Sequence, residues 1–178
     1  MIIGGEKLIQ LNNQKRIVKN LSKREIENPE GPGFDLRAGK IYKPKGKTFL
    51  GVKKRKSADI KKIADYKNNQ NSIILKQGDY FLIKTIEQVR IPQKIFAQIY
   101  PRSTLFRSGI ILLSGKISPG YKGNLTFGIF NAAPVEFKLK LKARIAFIVF
   151  QEVQGKSNLS RGQWQGGRVC AKKPEVQV

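Results

Sequence analysis

The chain has 178 residues, 40% of them hydrophobic, which suits one globular domain with a core rather than a disordered segment. It has no histidine and one cysteine, Cys170, which excludes His-based acid–base chemistry, Ser-His and Cys-His triads, a Cys/His zinc site and an intrachain disulfide. The net charge of +23, from 35 Lys and Arg against 12 Asp and Glu, points either to a polyanionic partner, nucleotide or nucleic acid, or to a lysine-rich proteome.

The opening MIIGGEKLIQ lacks a basic region ahead of a long apolar one, so it does not read as a secretory signal. No apolar run reaches the roughly eighteen residues of a membrane span, so no membrane partner is expected. With a single cysteine, the cytoplasm is the expected compartment. A short helix is predicted near Glu6–Leu11, followed by a polar connector to about residue 30.

Strands are predicted from Gly33 onward. KIYKPKGKTFLGVKKRK, residues 40–56, is dense in Lys and Arg with Pro and Gly interruptions, and reads as an exposed hairpin or basic arm. Ser57 then caps a predicted short helix with Ile60, Ile63 and Ala64 on one side, and NNQNS, residues 68–72, reads as a loop. From Ser72 the pattern becomes short strands between Pro, Gly and Asn turns: SIIL, DYFLIKTIEQVRIP, KIFAQIYP, GIILLSGKI, NLTFGIFN, VEFKLKLK and ARIAFIVFQEV. In VEFKLKLK, Val135, Phe137, Leu139 and Leu141 share one face and lysines the other. The apolar run in IAFIVFQEV suits a strand buried on both sides, in a sandwich centre or at a subunit interface. The fold class is all-β, a sandwich, barrel or jelly roll. The chain is expected to be one domain over 1–178, with 40–72 a basic hairpin and surface insertion and 156–178 a C-terminal tail.

PRSTLFRSGI sets Arg102, Ser103 and Arg107 close together around a turn, groups that suit phosphate oxygens. GKISPGYKGNLTFGIFN, residues 115–131, looks built around a ligand, yet no carboxylate occurs between Glu87 and Glu136.

Together with GFDLRAG at 33–39, ARIAFIVFQEV and SRGQWQGG at 160–167, these segments resemble, in order, the motifs of the dCTP deaminase/dUTPase superfamily. MIIGGEKLIQLNNQKRI and ILKQGDYFLIKTIEQVRIP are closer to the deaminase branch, and the spacing from Gly109 to Tyr121 is closer to the dUTPase branch. The resemblance implies a distorted jelly roll or β-barrel of the dUTPase-like type with short helices, assembled as a homotrimer with sites at subunit interfaces. It implies a deoxynucleoside triphosphate ligand carrying Mg2+ on its phosphates. Arg102, Ser103 and Arg107 would then hold phosphates, and Gly120 and Tyr121 would line the sugar. Asp35 would stand near the metal and its waters, or be an ordinary strand-edge carboxylate. Trp164 would stack on the base or pack the tail.

Two positions depart from the pattern. The deaminase branch carries a glutamate in a T-L-E sequence where this chain has Thr126, Phe127 and Gly128. The dUTPase branch carries an aspartate after isoleucine where this chain has Ile117 and Ser118. Neither glycine nor an unassisted serine takes a proton from water near neutral pH, and losing a general base costs about a hundred- to ten-thousandfold in rate. The expectation is a nucleotide-binding member with impaired chemistry. The alternatives are a divergent deaminase or diphosphatase with a relocated base, and a trimeric scaffold that binds nucleic acid or a larger assembly.

Overall fold

The computed structural model describes residues 1–68, 71–171 and 173–177. Helix α1 (Gly5–Lys15) leads to β1 (Val18–Lys19) and the short α2 (Lys23–Glu27). The long β2 (Gly33–Lys45) is followed by β3 (Phe49–Leu50), β4 (Lys54–Lys56), β5 (Asp59–Asp65) and β6 (Ser72–Leu75). Then come β7 (Tyr80–Arg90), β8 (Ile95–Pro101), α3 (Ser103–Arg107), β9 (Ile110–Leu113) and β10 (Lys122–Asn131). The chain ends with β11 (Phe137–Lys140), β12 (Arg144–Glu152), a single 3-10 turn at Gln165–Gly167 and β13 (Glu175–Val176).

One sheet carries the fold. Its strands run in the order β8-β12-β2-β7-β10-β9, with β1 added to β7 and β5 to β2, and every pairing is antiparallel. The sheet curls into a nearly closed barrel, the all-β arrangement expected from the strand pattern. Alternation decides what lies inside: Phe34 and Leu36 of β2, Ile83 of β7, Ile129 of β10 and Ile145, Ile148 and Phe150 of β12 are buried. The Phe34 and Phe150 rings meet edge to face, centroids 6.2 Å apart. β12 lies between β2 and β8, which accounts for its apolar run. No helix among the described residues is long and apolar enough to cross a membrane.

Three local expectations change. The opening helix is longer than predicted, Gly5–Lys15, with Glu6 in its first turn and Lys15 in its last, each matched to the helix dipole. The polar connector holds α2, which buries Glu25. The helix expected from Ser57 is instead β5, paired to β2. Its register steps from Ile41↔Ala64 to Tyr42↔Lys62, leaving Ile63 as an extra residue. Such a bulge shifts the alternation by one, so a strand reproduces the three-residue apolar spacing that looked helical. The loop expected over 68–72 includes residues 69 and 70, and the expected tail includes 172 and 178, all outside the described residues.

Candidate functional site

The stretch 115–131 forms one wall of a cleft of about 660 Å3. The segment from Gly115 to Ser118 reaches it from a bridge between Ile117 and Ala97, and Gly120, at φ +81, turns the chain so that Tyr121 faces the cavity. Leu125, Thr126 and Phe127 of β10 and Leu82 of β7 contribute the floor. Residues 160–164 with Arg168 and Val169 of the tail, and Arg55 of β4, close the far side.

The tail is held over the cleft by its own chain. Gln165 brackets the turn: its Nε2 donates to Gly120 O at 3.0 Å, and its Oε1 accepts from the Lys122 N–H at 2.7 Å. The Ser160 N–H donates to Pro119 O at 2.8 Å, and Lys84 Nζ donates to Gly167 O at 2.6 Å. Gly123 makes this approach possible, because a Cβ there would lie 2.3 Å from Gly167 N. Farther out, Glu175 accepts from Arg55 (Nη2, 3.0 Å) and Arg168 (Nη1, 2.8 Å; Nη2, 2.9 Å). Both guanidiniums also lie on the Trp164 ring, 4.7 and 4.6 Å from its centroid. Arg168 also borders a second cavity of about 580 Å3, lined by Asp59, Lys84 and Cys170 among others.

The cleft lining includes the cations Arg55, Lys116, Arg161 and Arg168 and no carboxylate among the described residues. Ser118 lines it. Gly128 shares a strand face with Thr126, and the space its side chain would use is filled: an ideal Cβ would lie 2.5 Å from the Tyr80 hydroxyl. Burial pushes that phenol's pKa up, so it stays protonated at neutral pH. Glu87 on β7 is fully buried, and its carboxylate accepts from Arg37 Nε at 2.6 Å and the Arg37 N–H at 2.8 Å. It is not part of the lining.

The expected site residues fall into two groups. Tyr121 and Trp164 line the cleft, and Gly120 sits in its rim turn with its carbonyl bonded to Gln165. Arg102, Ser103 and Arg107 are outside the lining, on and just before α3. Ser103 and Arg107 face solvent, and the Arg107 guanidinium lies 5.9 Å from the Phe106 ring. Arg102 Nη1 instead donates to Asp35, 3.0 Å from Oδ1. Asp35 is only 1% exposed and also accepts from Arg144 at 2.8 Å and Arg24 at 3.2 Å. These arginines occupy the carboxylate from several sides. No group of three potential metal ligands occurs among the described residues, so this donor set does not fit a metal held by the protein itself. Sequence reasoning missed Arg55, Lys116 and Arg168 as cleft residues. Arg55 comes from a strand more than a hundred residues away from the tail it meets, so no local motif signals it.

The sequence profile of a family described as dCTP deaminase-like matches residues 2–153. A dCTP deaminase of Pyrococcus abyssi is 32% identical over 143 residues, covering 80% of this chain and 82% of that protein. A deoxyuridine 5'-triphosphate nucleotidohydrolase of Methanocaldococcus jannaschii is 29% identical over 161 residues, covering 89% and 99%. The crystal structure of 2'-deoxycytidine 5'-triphosphate deaminase from Agrobacterium tumefaciens has the same fold, with a TM-score of 0.64 at 17% identity. That comparison covers 85% of this chain but 48% of the other, so the chain spans about half the length of that protein.

Proposed function

Since the chain belongs to the dCTP deaminase-like family, we propose that it binds a pyrimidine deoxynucleoside triphosphate and is impaired in converting it. One observation carries this reading: a cleft bearing four cations has no carboxylate in its lining among the described residues, and the Tyr80 phenol fills the space at Gly128. Lys116 and the arginines attract the ligand's phosphates, and the apolar floor accommodates a base. Deamination and diphosphate hydrolysis both need water activated beside the reacting atom, and no lining group is a base of suitable strength. Arg102, Ser103 and Arg107 complete the phosphate site from a neighbouring copy in a homotrimer. The exposed Phe106, Ile111 and Leu113, on α3 and the sheet-edge strand β9, favour such an interface. Magnesium enters on the ligand's phosphates.

The test is calorimetric titration with dUTP, dCTP and dTTP in the presence of magnesium, followed by ion-exchange separation of the mixtures. Binding without product supports the reading. Turnover at about 1 per second or faster overturns it in favour of a divergent deaminase or diphosphatase with a relocated base. The net charge of +23 favours a second reading, a scaffold for nucleic acid. No nucleotide binding, together with a gel shift of DNA or RNA that weakens steeply with salt, would replace the first reading with the second.

A further inference from the structure

Five cations, Lys15, Arg16, Lys19, Arg90 and Lys122, line a cavity of about 360 Å3, with no carboxylate in its lining among the described residues. It shares no lining residue with the 660 Å3 cleft. Gln14, Lys15 and Arg90 also line a further cavity of about 380 Å3, so the two adjoin as one furrow. All five cations are exposed, and none forms an ion pair among the described residues. Strand register gathers them. On β7, Gln88 and Arg90 share a face, while Val89 between them is buried. Lys19 of β1 stands opposite Gln88, and Lys122 of β10 stands opposite Arg90. Lys15 and Arg16 arrive from the end of α1.

Two features of the furrow work against the isolated fold. Like charges directly opposite across two strands repel, and Arg90 faces Lys122. Arg16, at φ 48, holds the left-handed residue that ends α1, a place that glycine or asparagine usually takes. The helix dipole favours Lys15 and Arg16 at that end but not the three cations on the strands. A bound polyanion offsets the repulsion among all five. We propose that this furrow binds the phosphate backbone of a nucleic acid. Cations without carboxylates select an oxyanion, and two adjoining cavities joined at Lys15 and Arg90 suit a chain of phosphates rather than one. No aromatic side chain lines either cavity, so bases find no stacking platform and binding is indifferent to sequence. The second reading above rests nucleic-acid binding on overall charge. The furrow gives it a place, and one compatible with a nucleotide in the cleft.

The experiment measures fluorescence anisotropy of a labelled DNA duplex over a salt series. It compares the unaltered protein with two triple variants of equal charge. One carries Lys19→Gln, Arg90→Gln and Lys122→Gln in the furrow. The other carries Lys76→Gln, Lys138→Gln and Lys140→Gln on exposed positions elsewhere. The furrow variant should bind about ten- to a hundredfold more weakly, and its slope of log K against log salt should be shallower by about 3. The other variant should change affinity by less than about threefold. Duplexes of unrelated sequence should bind alike. The furrow variant should also melt at a higher temperature than the unaltered protein, because it removes a like-charge pair. If the furrow variant does not fold, the single variant Lys122→Gln carries the test, with a slope shallower by about 1. Equal losses in the two triple variants would assign binding to the whole charged surface and overturn the furrow. Displacement of the duplex by dUTP would place nucleic acid in the cleft and overturn it too. Binding of tripolyphosphate, with no duplex bound at low salt, would make this a small-anion site and overturn the nucleic-acid assignment. That last result would leave the nucleotide reading of the cleft standing, since the two share no residue.

Discussion

At the scale of single residues, Gly128 and Tyr80 bear most directly on chemistry. A glycine in a strand interior usually marks a close approach, and here the approaching group is a phenol from the neighbouring strand β7. The absence of a side chain at 128 and the filling of that space by Tyr80 are therefore one structural feature. Restoring glutamate alone should fail: Gly128→Glu should destabilise the protein by about 1–3 kcal/mol through overpacking, with no deamination of dCTP. Adding Tyr80→Ala should recover much of that loss, because the two sites are in contact and their effects are not additive. Urea denaturation of the two single variants and the double variant measures the coupling. Strict additivity would show that Tyr80 does not occupy the space needed at 128. Asp35 makes the opposite point. The motif around it was legible in the sequence, but its partners Arg24, Arg102 and Arg144 come from three separate segments, and only folding brings them together.

At the scale of elements, the tail and the basic hairpin form one unit. β13 pairs with β4, β4 pairs with β3, and the Glu175 carboxylate joins Arg55 of the hairpin to Arg168 of the tail across Trp164. Arg168, then Arg55, hold the Glu175 carboxyl below the ordinary glutamate range. A carboxylate lowered in the folded state stabilises above its unfolded pKa, and that contribution is lost as pH falls through the folded value. The clasp should hold at neutral pH and open as pH falls below about 4.3 toward and through the lowered value. Trp164 is the only tryptophan, so its fluorescence reports the clasp directly. Glu175→Gln should shift its emission at neutral pH and abolish the acid-induced change seen in the unaltered protein. An emission spectrum indifferent to both acid and the substitution would mean that the clasp does not hold the tail. The strands from Ser72 onward were legible because turn residues punctuate alternating apolar positions. β5 was not, because its bulge at Ile63 imitates helical spacing. The hairpin–tail sheet was not legible either, because its partners lie at distant places in the chain and are two to three residues long.

At the scale of the whole molecule, the separation of α3 from the cleft decides what a complete site requires. Arg102, Ser103 and Arg107 lie close to the cleft segment in sequence. The antiparallel path through β9 instead places them outside the lining. Under the proposed trimer, a site that needs both groups is built from two chains, and its occupancy follows mixing statistics. Arg107→Ala removes the proposed phosphate-binding guanidinium from the α3 side, and Tyr121→Ala removes the ring from the cleft side. Each homogeneous variant should bind dUTP weakly, because every one of its sites carries the lesion. In a randomly mixed trimer, a site is intact when its cleft comes from an Arg107→Ala chain and its α3 from a Tyr121→Ala chain. Random equimolar assembly makes the two choices independent, and closed symmetry gives every site one cleft chain and one neighbour, so roughly a quarter of the sites should recover full affinity. Calorimetry of co-refolded mixtures measures that fraction as stoichiometry at unchanged affinity. Full affinity for Arg107→Ala alone, with about half the sites intact in a mixture shown by native mass to contain both chains, would mean that each cleft binds on its own, with α3 serving another purpose.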